Sequence, residues 1–240
     1  MKLIFATLAS FVLIALVAFL ATRPWYLRWG ATEAEVSQPL PGDDLVPHPK
    51  MATTRAIVIH APAADVWPWL VQVGYGRAGW YNYDWINRLM GGADFVDGHR
   101  SSTRIVPELQ ELKVGDTVKI APQGGWTVMA LEAERLLVFL ARVDLKTGKP
   151  FSLTDPKPKR YLNSSQTIVL EPVDGRTTRL IVRDRMDFDM GGLTIVNWIL
   201  EPGFFIQESA FMRGVKQRAE RLVRFAGERR PGDPSPTPRG

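Results

Sequence analysis

The chain has no cysteine and only three histidines among its 240 residues. The first absence excludes a disulfide scaffold, a thiolate metal site and a cysteine nucleophile. The second leaves no pair of imidazoles at ligand spacing: His48, His60 and His99 stand apart. Asp94, Asp97 and His99 crowd one loop, but three such residues fall short of a cation's ligand count, so no metal and no cofactor is expected. Excess charge is also missing from most of the length. Residues 1–212 carry 22 basic and 22 acidic side chains, and the net +5 falls wholly on residues 213–240. A general polyanion-binding face is therefore not expected, and nucleic acid is not an expected partner. The C-terminal basic stripe fits a solvated helix face or contact with anionic headgroups. No G-x-S-x-G, P-loop or H-E-x-x-H pattern occurs. Gly74-Tyr75-Gly76-Arg77-Ala78-Gly79 has the dinucleotide spacing, yet it follows an expected helix where that chemistry needs a strand.

What is present is distributed unevenly. Residues 3–21 hold 17 apolar side chains among 19, with no charge, proline or glycine. As a helix this run is about 28 Å long, close to the ~30 Å hydrocarbon core of a bilayer. Trp25, Tyr26 and Trp29 follow, with Arg23 and Arg28 beside them, in the composition of a membrane interface. Residues 1–21 are thus expected to form a single-pass transmembrane anchor; a cleaved signal is the alternative, and the flanking charges do not fix the orientation. Residues 22–50, with Pro39, Pro41, Pro47 and Pro49, are expected as a semi-extended tether. Residues 51–226 form one domain, long enough for its own core, and 227–240 a disordered tail.

Within the domain, 55–60 is a β-branched strand closed by Ala61-Pro62. Asp65 is the expected cap of a helix through Val73, and a second short helix runs from the aromatic segment 80–86 to Gly91-Gly92. Turn signals then separate strands at 109–113, 116–121, 126–132, 135–143, 164–172 and 177–188, giving seven strands with the first. From Phe204 a helical stripe runs through Phe211, Val215, Ala219 and Leu222, the pattern of a long amphipathic helix.

This order, α+β with two short helices after the first strand, a curved antiparallel sheet and a long final helix, is that of the helix-grip fold, in which a cavity lies between sheet and helix. The stretch Ile57-Val58-Ile59-His60-Ala61-Pro62-Ala63-Ala64-Asp65-Val66-Trp67 resembles the opening of the SRPBCC superfamily (START-like, polyketide cyclase/dehydrase-like). Gly79 to Trp85, Arg104 to Gln110, Leu112 to Val118 and Arg213 to Glu220 are similar to a bacterial branch of it, over residues 54–226. The resemblance implies the fold; lipid carriers, receptors and cyclases share it, so it does not imply one activity.

Strand alternation supplies the polar candidates. Asp184 interrupts an apolar face made of Leu180, Val182, Met186 and Phe188; Gln166 falls with Ile168 and Leu170, and Arg142 with Leu136, Val138 and Leu140. A lone carboxylate there must be paired, hydrogen-bonded or neutralised. These three would orient a ligand, or Asp184 is paired internally or stands at a solvated strand end. The expected lining adds Trp80, Tyr81, Tyr83 and Trp85 at the mouth, Trp126, Met129 and Phe139 on the sheet, and Trp198, Phe204, Phe205, Phe211 and Met212 on the helix. The leading expectation is a membrane-tethered protein that binds a hydrophobic small molecule or lipid without covalent chemistry. The alternatives are a cyclase/aromatase-like enzyme using Asp184 as its acid or base, and a structural partner in a membrane complex. Oligomeric state is left open.

Overall fold

A computed structural model describes residues 2–122 and 124–228; the side chains of 193–199, of 226–228 and of most of 2–16 lie outside that description. Six strands form one antiparallel sheet in the order β1-β6-β5-β4-β3-β2. They are β1 (Met51–Ile59), β2 (Thr117–Lys119), β3 (Gly125–Glu132), β4 (Leu136–Asp144), β5 (Tyr161–Asp174) and β6 (Thr177–Asp189). Helices α1 (Lys2–Leu27) and α2 (Glu33–Ser37) precede the sheet, α3 (Ala63–Val71) and α4 (Asp84–Leu89) follow β1, and α5 (Thr194–Glu228) closes the chain. A six-stranded antiparallel sheet under a long C-terminal helix is consistent with the helix-grip fold.

The sheet has six strands where the sequence predicts seven. Residues 109–113 do not pair: Pro107 starts a 3-10 turn over Pro107–Leu109. Gln110 Nε2 then donates to Gln72 Oε1 (3.0 Å) and to the Val106 carbonyl (3.2 Å). A side chain that bonds back into the turn competes with a strand ladder, so the segment packs beside α3. Asp65 makes no cap; Pro62 holds that position, and Asp65 lies in the first turn of α3.

Both faces of the sheet are covered. On the inner face Leu137, Phe139, Ile168, Leu180 and Val182 pack against Trp69 and Leu70 of α3 and Met212, Val215 and Ala219 of α5. Each such large side chain contributes about 1.5–3 kcal/mol by leaving water. On the outer face Ala56, Leu136, Val138, Val169 and Ile181 pack against Ala31, Leu40 and Leu45. The segment expected as a free tether is therefore laid on the sheet. Thr32 and Glu35 form a capping box that starts α2. Arg183, buried, donates to Asp43 (2.8 Å) and to the carbonyls of Glu35, Val36 and Gln38. Arg179 clasps both Glu35 oxygens at 2.7 and 2.8 Å, and Arg185 donates to the Val46 and Pro47 carbonyls.

The anchor expected over 1–21 is not supported. Helix α1 spans that run and continues to Leu27, but among the described residues no helix is long and apolar enough to cross a membrane. The last turns of α1 dock on α5: Phe205 packs against Trp25, Tyr26 and Trp29 with ring centroids 5.3–6.0 Å apart. Of the tail expected at 227–240, residues 229–240 lie outside the described residues.

Candidate functional site: a cavity between sheet and helix

Between the inner face of the sheet and the first half of α5 lies a cavity of about 740 Å³. Strand register builds its floor. Thr53 pairs with Asp184, Asp184 with Gln166 and Gln166 with Phe139, so one row crosses four strands on a single face. The row on one side is Met51, Met186, Ser164 and Ala141; on the other it is Arg55, Val182, Ile168 and Leu137. A polar row is thus set between mainly apolar ones.

The polar groups are linked. Gln166 Nε2 donates to one Asp184 oxygen (3.0 Å) and Thr53 Oγ1 to the other (3.3 Å). Arg55, 1% exposed, donates through Nε to the Tyr26 carbonyl of α1 (2.8 Å) and through Nη1 to Glu208 of α5 (2.5 Å). Its guanidinium lies 5.4 Å from the centre of the Phe205 ring. Glu208 Oε1 and Gln207 Oε1 are buried on the cavity wall without a hydrogen-bond partner. Burial, with Asp184 as the nearest like charge, pushes the Glu208 carboxyl well above its ordinary value, and Arg55 only partly offsets this. Glu201, two turns earlier in α5, pairs with Arg23 of α1 (3.1 Å).

The aromatic wall is held from behind. Ser101 Oγ donates to Asp84 (2.6 Å) and accepts the backbone N–H groups of Trp80 (3.2 Å) and Tyr81 (3.0 Å). Gly79, at φ 88, lies so close to Ser101 that a Cβ there would be 2.5 Å from Oγ. Trp80 is thereby turned onto Trp126 (centroids 5.8 Å), which in turn packs on Phe139 (5.6 Å). Gly214 of α5 admits the Tyr81 backbone, since a Cβ at 214 would sit 2.0 Å from the Tyr81 carbonyl oxygen.

Of the residues predicted from sequence, Trp80, Trp126, Gln166, Asp184, Phe204 and Phe211 line the cavity. Eight others are placed elsewhere. Tyr81 is buried behind the wall, its hydroxyl receiving Gln72 Nε2 at 2.7 Å. Tyr83 and Trp85 are exposed on α4, because the segment turns outward after the left-handed Tyr81 (φ 54). Phe139 lies beneath Trp126 and Met212 in the closed core. Met129 is displaced by the β-bulge between Val128 and Ala130 and packs on the outer face. Arg142 also faces outward, bonded to the Ser152 carbonyl and stacked on Phe151 at 4.3 Å. Phe205 faces α1. Trp198 lies outside the residues whose side chains are described.

Thr53, Arg55 and Glu208 belong to the site and were missed, although both periods were readable. Arg55 alternates with Met51, Thr53, Ile57 and Ile59, while Glu208 stands four residues after Phe204 and three before Phe211. The test that exposes Asp184 therefore exposes them also.

Fold and site together are those of an α+β protein, consistent with the helix-grip fold, with a mainly apolar cavity that holds a cluster of buried charged and polar groups. No protein-family model matches the chain, and no curated protein matches it. In solved structures the chain is similar to a hypothetical protein from Helicobacter pylori (10% identity, TM-score 0.44, covering 76% of this chain and 96% of that one). It is also similar to an aromatase/cyclase from Streptomyces sp. R1128 (16% identity, TM-score 0.34, 73% and 97%). A third similarity is to norcoclaurine synthase from Thalictrum flavum (11%, TM-score 0.36, 72% and 95%).

Proposed function

We propose that the chain binds a hydrophobic small molecule or lipid in the cavity between sheet and α5, oriented by the Asp184–Gln166–Thr53 row and the Arg55–Glu208 pair. The observation that carries this is a space of about 740 Å³ walled by Trp80, Trp126, Phe204 and Phe211 with buried polar groups at its floor, the composition of a small-molecule pocket. Tethering at a membrane belongs to the same proposal: Phe11, Ile14, Val17 and Leu20 of α1 are exposed, and a bilayer is the medium in which such a row loses least. The side of the membrane is left open.

The test is uptake of Nile red by the full chain, alongside an Ala141→Trp variant. Ala141 lines the cavity, and an indole there fills it without entering the closed core. Saturable uptake by the parent, lost in a variant that still melts cooperatively, supports the proposal. Equal uptake by both overturns it. Co-flotation of the full chain with vesicles, lost when residues 2–21 are deleted, tests the tether.

A second reading has one observation in its favour. A carboxyl with a raised pKa beside a carboxylate is an arrangement for moving a proton, as a cyclase-like enzyme requires. The acid is then Glu208 with Asp184 as its partner, and Glu208→Gln and Asp184→Asn each abolish turnover while leaving Nile red uptake intact.

A further inference from the structure

The cavity's charges do not balance until a proton is counted. Arg55 on β1 faces Glu208 on α5, and Asp184 on β6 faces Glu208 from the floor. Glu201 on α5 is matched by Arg23 on α1. The remaining neighbours, Thr53, Gln166 and Gln207, are neutral. Of these two neighbouring acids only Glu208 is paired with a guanidinium. In the empty cavity the surplus carboxylate is neutralised by a proton, because two like charges in a poorly solvated space cannot both ionise.

Resting on the binding function proposed above, we infer that the cavity is built for a hydrophobic organic cation, an amine on an aromatic or aliphatic body, whose ammonium group takes the place of that proton between Asp184 and Glu208. Three independent features converge on it. The buried oxygens Glu208 Oε1 and Gln207 Oε1 have no donor, and an ammonium supplies three. Trp80, Trp126 and Phe211 line the same space and offer ring faces that favour a cation. Charge balance discriminates as well: a bound amine with both acids ionised leaves the site neutral. A bound carboxylate adds an uncompensated negative charge, so fatty acids and other anions are disfavoured.

The probes are naphthylethylamine, its neutral counterpart naphthylethanol and the anion naphthylacetate, titrated by fluorescence into the full chain held in phosphatidylcholine nanodiscs. The expected order is amine, alcohol, acid, the amine binding about tenfold tighter than the alcohol. Calorimetry in buffers of different ionisation heat is expected to show a proton released as the amine binds near neutral pH. In Glu208→Gln, and separately in Asp184→Asn, the amine's advantage over the alcohol falls to about twofold or less and the proton release disappears. An alcohol or acid that binds as tightly as the amine, or an amine that binds without proton release, overturns the inference while leaving the binding function standing. If no probe binds and Nile red is not taken up, both fail together.

Discussion

The two faces of this sheet carry the same chemical inventory and treat it differently. Outside, Arg179, Arg183 and Arg185 meet Glu35 and Asp43, and the covering segment adds carbonyls from Gly30, Glu35, Val36, Gln38, Val46 and Pro47. The forks of these three arginines are occupied by the segment laid directly upon them. Inside, Arg55 pairs with Glu208 and reaches one backbone carbonyl, that of Tyr26, while Asp184 stands beside Glu208 without a guanidinium of its own. The carboxylates show the consequence. The hydrogen bonds from Arg179 hold Glu35 below the ordinary carboxylate range, whereas burial pushes Glu208 well above it. Charge paired on a closed face works as a fastening; charge left short on an open face is what the proposed binding function uses.

The largest way to break the contrast is to remove the central fastening. Arg183 is 4% exposed and donates to four acceptors of the covering segment and to Thr54. Arg183→Met removes the donor of those carbonyls and leaves Asp43 with the Leu40 N–H and the more distant Arg185, and is expected to cost about 3 kcal/mol by urea denaturation. Hydrogen exchange should rise first in residues 32–46, while Nile red uptake persists. A loss of uptake matching the loss of stability would mean that the two faces are not separable.

Glu35 gives a smaller effect on the same face. Glu35→Gln removes the charge from the Arg179 clasp and is expected to cost about 1 kcal/mol at neutral pH. Since the folded carboxyl titrates below its ordinary value of 4.5, the parent's advantage is present above that value and is lost as pH falls through the lowered one. Stability curves of parent and variant should therefore converge in acid; a constant difference down to the acid limb contradicts the assignment.

How far the sequence carried is explained by the same two faces. The element order, five of the six strands expected after the first, and the final helix were legible because each obeys a period of two or 3.6 with turn residues between. The inward placement of Asp184 and Gln166 followed from alternation alone. Arg142 failed because β4 is apolar on both sides, Leu136 to Ala141 being buried without a break. Alternation has no contrast to read when a second layer covers the back. That layer, residues 29–46, has no period of its own and is held through arginines on a distant strand, a long-range pairing that local pattern does not encode. Met129 failed through one bulge, which moves a side chain to the other face.

The smallest effect sharpens the comparison most, because it has the opposite sign to that of Glu35. Glu208 holds its proton in the fold above the pH at which the unfolded chain, near the ordinary 4.5, releases it. Its contribution to stability is then full below that value and declines as pH rises through the raised one. Glu208→Gln keeps the shape, continues to accept from Arg55 and cannot ionise, so the decline disappears. The variant and parent should have similar stability in mild acid, with the variant the more stable of the two at alkaline pH. Melting temperatures across that range measure it. If the parent gains on the variant as pH rises, Glu208 ionises as readily in the fold as in water, and the cavity is as fully paired as the outer face.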